Sequence, residues 1–476
     1  MMRKRVLLLI VAALLLACVL GAFCACESYK TDPLATGGNK DAVVQSNGGL
    51  VVRQGDYLYF VNGYTGYLTE HGSDNWFGNV RKGAIVRVSY HNGDLGDDYV
   101  VVVPKSVMAD SASVGFSIFG DWIYYVTPGS EEDRSGKVNT DELEFLRTRL
   151  DGTETQKILI LEDTSVSYNY TSSALVYLDS SDNKLYSKDL SAKSFKEKDK
   201  GKCLAEEVTS VQFIKNETYD PSVSEISIAD YVLYTKNAAE AHEKWNILYA
   251  VDPLGNAMPK ILIGPDSYQP AKYYVKLLAT SFTNGKLAIY YTKADSSSSE
   301  KTYGTFAYQF ENKDLNFSKA GEVALSAKEL SNLFPLGYSE GVVKTGSNSV
   351  IYYTDGKAAK GYGELNLATL LLVENDNFYY LNSDGVLLYY PLDGNSNAQF
   401  AYTTGEKMMT SFTGVEFYDG YFYFILDDDY DYMARVKLSE IDVYSGKDAA
   451  VTRVCYPTDE DKAAMEAEEN ADEDEE

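Results

Sequence analysis

A short run of aspartates towards the carboxyl end of the chain offers a dense set of oxygen ligands. Asp427, Asp429 and Asp431 stand at alternate positions, a spacing that suits Ca²⁺ because this hard cation prefers carboxylate oxygens. The pattern then departs from a calcium loop, since Tyr432 stands where glycine is needed and Leu438 where a bidentate glutamate is needed. We therefore predict a solvated hairpin turn here, with a weak calcium site as the alternative and no other cofactor.

Residues for nucleophilic and acid–base chemistry are scarce. The histidines are His71, His91 and His242, and none has a second histidine at the spacing of a zinc-binding helix. Residues 337–341 match the five-residue nucleophile elbow, but that motif needs a downstream histidine and none follows His242. We predict that this segment is a turn and that the chain is not an enzyme. The alternative is a carbohydrate-active or peptidase-type enzyme with paired carboxylates.

The amino-terminal residues are typical of an export signal. Arg3, Lys4 and Arg5 precede an apolar run over residues 6–23, and the chain becomes polar at Glu27. Such a signal, followed by a cysteine, resembles that of bacterial lipoproteins, in which the cysteine is acylated before cleavage. The resemblance implies a signal peptide over residues 1–25 and a lipidated tether over residues 26–48.

Two cysteines are candidates for the lipid attachment. Cys26 follows Ala25 and opens directly onto the polar tether, so it is the predicted site. The residues before Cys18 match the lipoprotein signal better than those before Cys26. Cleavage at Cys18 would leave the apolar residues 19–23 on the mature protein, so Cys18 is the alternative. A cleaved peptide without lipid and an uncleaved anchor are also open. Every version places residues 30–476 outside the cytoplasm, on the cell membrane or beyond it.

The chain is strongly acidic, with a net charge of −27. Residues 459–476 contribute −10 and the signal +3, which leaves −20 on the body. The acidic end has no aromatic residue, so we predict a disordered tail from residue 458 onwards. An acidic body repels nucleic acid, which we therefore do not expect as a partner. Beyond the signal only Cys203 and Cys455 remain, as one disulfide or as two free thiols.

One kind of segment recurs along the body. A turn residue or pair is followed by alternating aromatic and aliphatic residues, which predicts a strand, and most copies are followed by a second strand-like run after a polar turn. The eight copies begin at Gly55, Gly120, Ala174, Ala229, Gly285, Ser349, Asp376 and Asp419.

These repeats predict the fold class. A hairpin with flanking strands cannot bury both faces of its small sheet, so it must stack on neighbours, and radial closure leaves no long open edge. We predict an all-β protein, a β-propeller of about seven or eight four-stranded blades over residues 49–457. The 40 tyrosines fit this fold, because a tyrosine ring packs between blades while its hydroxyl finds a polar partner.

A few segments are expected to interrupt the strands. Residues 326–334 carry a capping-box spacing at Ser326 and Glu329, which predicts one short helix. Residues 62–64, the lysine-rich residues 193–202 and residues 296–300 are predicted to be exposed turns or insertions on the rims.

Two segments resemble a known family. Ile351-Tyr352-Tyr353-Thr354-Asp355-Gly356, and the run from Gly120 to Tyr125 with the later Leu146-Arg147-Thr148-Arg149-Leu150-Asp151-Gly152-Thr153, resemble bacterial surface propellers of unassigned function that are related to low-density-lipoprotein-receptor propellers. Those receptors carry a Tyr-Trp-Thr-Asp signature, in which tyrosine replaces tryptophan here. The resemblance implies a propeller whose repeated residues pack blades, and it assigns no binding residue.

These observations together predict a membrane-anchored, non-enzymatic binding or scaffolding protein on the extracytoplasmic face of the cell membrane. Its expected partner is an envelope protein or a glycan. A propeller fold by itself hosts enzymes, scaffolds and sensors alike, so the fold does not decide among them.

Overall fold

The computed structural model describes the chain in segments from Gly49 onwards. These are residues 49–63, 76–77, 80–81, 84–104, 115–128, 142–162, 166–171, 173–214, 231–238, 242–263, 273–283, 286–298, 302–310, 321–324, 332–337, 341–346, 349–354, 357–361, 367–374, 377–382, 387–391, 400–401, 415–425, 433–440, 451–455 and 463. Among them, no helix has the length and apolar character that crossing a membrane requires.

Eight antiparallel sheets follow one another along the chain, and we number them as blades 1 to 8. Blade 1 is formed by β1, β2, β5 and β7, with β6 paired to the end of β5, while β3 and β4 form a separate small hairpin. The bounds are β1 (Val51–Gln54), β2 (Tyr57–Val61), β3 (Trp76–Phe77), β4 (Val80–Arg81), β5 (Ile85–His91), β6 (Asp94–Leu95) and β7 (Val100–Val103).

Blades 2 to 4 are each formed by four strands consecutive in the chain. Blade 2 comprises β8 (Phe116–Phe119), β9 (Trp122–Pro128), β10 (Leu143–Arg149) and β11 (Thr155–Leu161). Blade 3 comprises β12 (Ser167–Tyr170), β13 (Ala174–Asp179), β14 (Lys184–Asp189) and β15 (Lys202–Ala205). Blade 4 comprises β16 (Val208–Phe213), β17 (Val232–Ala238), β18 (His242–Val251) and β19 (Lys260–Ile263).

Blades 5 to 8 have the same construction. Blade 5 comprises β20 (Tyr274–Thr283), β21 (Lys286–Ala294), β22 (Thr302–Phe310) and β23 (Gly321–Ala324), and blade 6 comprises β24 (Asn332–Gly337), β25 (Gly341–Gly346), β26 (Ser349–Thr354) and β27 (Lys357–Gly361). Blade 7 comprises β28 (Leu367–Glu374), β29 (Asn377–Asn382), β30 (Leu387–Pro391) and β31 (Phe400–Ala401), and blade 8 comprises β32 (Val415–Tyr418), β33 (Tyr421–Ile425), β34 (Met433–Lys437) and β35 (Thr452–Arg453).

The first strands of successive blades are neighbours. Contacts join β1 to β8, and β12, β16, β20, β24, β28 and β32 follow one another in the same way. The Phe116 main-chain N–H donates to the carbonyl of Gly49 at 3.0 Å, which pins the start of blade 1 to blade 2. First strands that meet in sequence order line the centre of a radial array. The chain is therefore a β-propeller, with eight blades in agreement with the predicted seven or eight.

Aromatic side chains fill the space between blades. Phe145 of blade 2 lies edge-on to Tyr168 of blade 3, with ring centroids 5.0 Å apart. The hydroxyl of Tyr170 donates to the carbonyl of Tyr125 in blade 2 at 2.9 Å. Each such ring stabilises the fold by roughly 1.5–3 kcal/mol through burial alone. The predicted role of tyrosine, a ring between blades and a hydroxyl on a polar partner, is confirmed at this junction.

Among the described strands, blade 8 closes against blade 1 with no strand shared between them. The buried amide of Asn62, just after β2, donates from Nδ2 to the carbonyl of Cys455 at 3.2 Å and accepts from the main-chain N–H of Met433 at 3.4 Å. The hydroxyl of Tyr90 donates to Asp419 Oδ2 at 2.7 Å. Side-chain bonds and packing therefore hold this seam, because the chain does not continue across it.

The eight predicted strands are all present, with one difference in their place. Seven are the second strand of their blade, whereas Ser349–Thr354 is the third strand of blade 6. This explains why the next copy follows after an unusually short interval. The aromatic pattern marks any half-buried strand, so it did not distinguish the second strand from the third.

Two local predictions were wrong. The predicted helix is not formed at its end, because Asn332–Phe334 lies in β24 and pairs with β25. Strand pairing outweighs the helix-capping pattern. Residues 326–331 lie outside the described residues. Asn62 and Gly63 are buried rather than exposed. The polarity of Asn62 serves the seam between blades 8 and 1 rather than contact with water.

We expect Asn62→Ala to loosen the seam. The change leaves the carbonyl of Cys455 and the N–H of Met433 without this partner, at a cost of about 1–3 kcal/mol. Hydrogen exchange in peptides that contain β1, β2 and β35 should accelerate together. Asn246→Ala is the matched control, because Asn246 bonds to Val275 at the junction of blades 4 and 5, where the chain is continuous. Unchanged exchange at β35 would show that Asn62 does not hold the seam.

Candidate binding surface

Three blades repeat one arrangement of two aromatic residues and an arginine. The second strand carries aromatic side chains two positions apart, hence on the same face, and the third strand places an arginine opposite the second of them. The sets are Tyr57, Tyr59 and Arg87 in blade 1, Trp122, Tyr124 and Arg147 in blade 2, and Tyr421, Tyr423 and Arg435 in blade 8.

Each of these arginines is buried with its guanidinium over the first aromatic ring. The distances from Cζ to the ring centroid are 4.5 Å for Arg87, 4.2 Å for Arg147 and 4.3 Å for Arg435. A cation held over a ring face is attracted by its quadrupole, and arginine suits this position because its guanidinium is planar and weakly hydrated. The ring therefore stabilises a buried charge that has no carboxylate partner among the described residues.

Arg147 reaches beyond its own blade. Its Nη1 and Nη2 donate to the carbonyls of Leu190 and Ala192 in blade 3, each at 2.8 Å. Nε and Nη2 also donate to Gln156 Oε1, at 3.0 and 2.7 Å. The planar fork of arginine supplies all these donors at once, which lysine cannot do. Arg147 thus joins blade 2 to the segment that follows the third strand of blade 3.

Arg435 makes the corresponding link across the seam. Its Nη1 donates to the carbonyl of Gly93, in the turn after β5 of blade 1, at 3.0 Å. Burial raises the pKa of Tyr423, while a hydrogen bond from Arg435 and its charge act in the opposite direction. The same strand position therefore has the same role in blades 2 and 8, since Arg147 and Arg435 both bind the segment that follows the third strand of the next blade.

The segment held by Arg147 is a lysine-rich loop, residues 190–201, between β14 and β15. We call it the basic loop. Lys188, which precedes it, is buried and donates from Nζ to the carbonyls of Lys196 and Asp199, at 2.8 and 2.6 Å. Burial lowers the pKa of Lys188, and the charge of Asp199 counteracts this. Two buried cations, Arg147 and Lys188, therefore fix the path of the loop through its carbonyl groups.

The basic loop also covers the outer edge of blade 2. The Ile160 main-chain N–H of β11 donates to the carbonyl of Glu197 at 2.9 Å, and Gln156 Nε2 donates to the carbonyl of Lys193 at 3.3 Å. The ring of Phe195 lies 4.6 Å from Cζ of Arg147. Covering an edge strand in this way protects it from pairing with another chain. The predicted rim insertion at residues 193–202 is thus confirmed as a rim loop with a fixed backbone.

The lysines of this region fall into two groups. Lys200 belongs to the first group and forms an ion pair with Asp179 at 2.6 Å. Burial raises the pKa of Asp179, but hydrogen bonds from Lys200 and Ser181 outweigh burial, so the pKa of Asp179 is lowered. Among the other members of the first group, Lys184 binds Glu206 at 2.7 Å, and Lys202 donates to main-chain carbonyls of blade 4. The other group is exposed and has no carboxylate within ion-pair distance among the described residues; its members are Lys193, Lys196 and Lys198.

The residues predicted to bind metal or lipid lie outside the described residues. These are Asp427, Asp429 and Asp431, between β33 and β34, together with Cys18 and Cys26. Among the described residues, no group of three or more His, Cys, Asp or Glu side chains is arranged to hold a metal ion.

The two body cysteines are not joined in a disulfide. Cys203 lies exposed in β15 of blade 3, and burial raises the pKa of its thiol. Cys455 is buried beside the seam in blade 8. Since these blades are not neighbours, the choice between one disulfide and two thiols resolves in favour of two thiols.

The elbow-like segment and the histidines do not form a catalytic group in the described part of the chain. Gly337 ends β24 and pairs with Gly341, which begins the antiparallel β25, so the segment is followed by a strand and not by the helix that the elbow needs. Residues 338–340 lie outside the described residues. His91 ends β5 in blade 1, and His242 begins β18 in blade 4.

Comparison with known proteins finds only solved structures of low similarity. No family model matches the chain, and no curated protein matches it. Solved structures with a similar path include apo AztD from Citrobacter koseri, 11% identical over 78% of this chain and 92% of that one, with a TM-score of 0.39. The β-propeller domain of the Trilobed protease from Pyrococcus furiosus is 8% identical over 76% and 92%, with a TM-score of 0.34. An oligogalacturonate lyase in complex with manganese is 14% identical over 64% and 72%, with a TM-score of 0.30. At this similarity none of them carries an argument about function.

Sequence reasoning placed the basic loop on the rim but did not single it out as a site. A signal was present: seven lysines and three acidic residues lie between Lys184 and Lys202, in a chain whose net charge is −27. The arginines lie in segments that were predicted to be strands. The pattern of apolar residues in a strand does not indicate that an arginine bonds to the next blade.

We expect Arg147→Lys to release the basic loop. Lysine cannot reach the carbonyls of Leu190 and Ala192 together, and the loss should lower the free energy of unfolding by about 2–4 kcal/mol. Hydrogen exchange of residues 190–201 should rise, and the urea midpoint should fall. Arg149→Lys is the matched control, because the half-exposed Arg149 lies 3.7 Å from Asp121 and such a pair contributes at most about 1 kcal/mol. Equal effects of the two changes would contradict the assigned role.

Proposed function

We propose that this chain is an extracytoplasmic binding or scaffolding protein, anchored to the cell membrane by a lipid on Cys26, with an envelope protein or glycan as its partner. It has no catalytic activity of its own in this proposal. The export signal and the cysteines beside it support the location. The resemblance of its Tyr-rich segments to bacterial surface propellers of unassigned function agrees with it.

The observation that carries the proposal is that buried polar side chains join neighbouring blades by hydrogen bonds. Arg147 ties blade 2 to blade 3, Asn246 ties blade 4 to blade 5, and Arg435 and Asn62 tie blade 8 to blade 1. A platform that is rigid before it binds loses little conformational entropy when a partner docks. Such hydrogen bonds between blades suit a protein that presents a binding surface of fixed shape.

The test is affinity capture from solubilised cell envelope with the lipidated protein as bait. A chain that carries both Cys26→Ser and Cys18→Ser is the control, since it cannot be acylated at either candidate. We expect a specific envelope component to co-purify with the lipidated bait at a constant ratio, and mass spectrometry identifies it. Steady turnover of envelope oligosaccharides or peptides by the purified protein would instead establish the carboxylate-based enzyme and overturn the proposal.

A further inference from the structure

We infer that the basic loop, residues 190–201, is a docking surface for an acidic protein segment, one rich in Asp and Glu. This inference rests on the proposed function in one respect, namely that the propeller binds a partner at all. It adds the place on the propeller and the chemical class of the partner. Three observations on the basic loop support the inference.

The first step is the contrast of charge. The chain as a whole has a net charge of −27, whereas the basic loop, residues 190–201, has a net charge of +2. An acidic partner is repelled by most of the surface and attracted here, which fixes where and how it docks. Complementary charge of this kind acts mainly on specificity and on the rate of encounter.

The second step is that the exposed lysine side chains do not hold the loop. Its described bonds to Arg147, Lys188, Gln156 and Ile160 all use main-chain carbonyls of the loop. Covering the edge of blade 2 therefore needs the loop backbone and Phe195, and it does not need three ammonium groups. The charges of Lys193, Lys196 and Lys198 remain for another purpose.

The third step is the geometry of the charges. Between Lys193 and Glu197 the loop follows β11 from Gln156 to Ile160, a length of roughly 13 Å for four strand residues. Cations spread along such a length on a fixed backbone match several carboxylates of a short peptide segment better than one small anion. Because the Debye length at physiological salt is about 8 Å, a segment confined to the loop escapes the repulsion of the acidic body.

Long, uniformly charged polymers fit less well. A nucleic acid or an anionic bilayer extends far beyond the loop and meets the acidic surface on either side of it. A protein partner can present its acidic residues in one place only. The observations therefore favour a protein segment, and the two other polyanions become outcomes of the test.

The experiment measures binding of a peptide of five glutamates, about as long as the loop segment, to the full-length protein at physiological salt. The variant is Lys193→Ala with Lys196→Ala and Lys198→Ala. The matched control, Arg53→Ala with Lys276→Ala and Lys437→Ala, removes three exposed cations from blades 1, 5 and 8 and changes the net charge equally. We expect the dissociation constant to rise tenfold or more in the loop variant and less than twofold in the control. A five-glutamine peptide should not bind.

Three results would overturn the inference: no binding of the glutamate peptide at physiological salt, equal loss in both variants, or tighter binding of a five-nucleotide single strand or of anionic vesicles. The affinity capture from cell envelope is repeated with the loop variant. If the partner is still captured, the proposed function stands and the docking site lies elsewhere. If no partner is captured by the unaltered bait, the proposed function fails, and the peptide result still decides the chemistry of the loop.

Discussion

The structure depends on the inability of one small sheet to bury both of its faces. A blade of four short strands has apolar and aromatic residues on both sides, so it is stable only between two other blades. Leu175 and Tyr177 of blade 3 pack into the cluster that contains Phe145 of blade 2, while Val176 faces the residues of blade 4. Blade 3 therefore completes the core of both of its neighbours.

Buried polar groups give this ring its specificity. Apolar packing alone tolerates small shifts of one blade against another, but a guanidinium or amide bonds to one set of carbonyls only. Arg147 and Arg435 occupy corresponding strand positions and bind corresponding segments of the next blade. Removing one of them would leave buried carbonyls without their donors, which costs more than the bond itself contributes. These hydrogen bonds explain how the ring closes although the described strands of blades 8 and 1 belong to separate sheets.

Much of the fold could be predicted from the sequence, because alternation of aromatic and aliphatic residues is a local property. Tyr57–Val61 and Trp122–Pro128 are strands as expected. The place of a strand within its blade is not local, so the pattern did not show that Ser349–Thr354 is a third strand. Asn62 was misjudged for the same reason, since its partners Met433 and Cys455 are far away in the chain. The basic loop was located, but its fixed backbone depends on Arg147 of another blade, which composition does not reveal.

The central claim, a closed ring of eight blades, is tested most directly by distances between spin labels. Labels on unnatural amino acids at Asp94 in blade 1, Lys437 in blade 8 and Glu322 in blade 5 leave the native cysteines intact. Double electron–electron resonance should give a narrow, short distance between positions 94 and 437 and a longer one between 94 and 322. In an open array of blades the first pair would instead be the farther apart, and that result would contradict the ring.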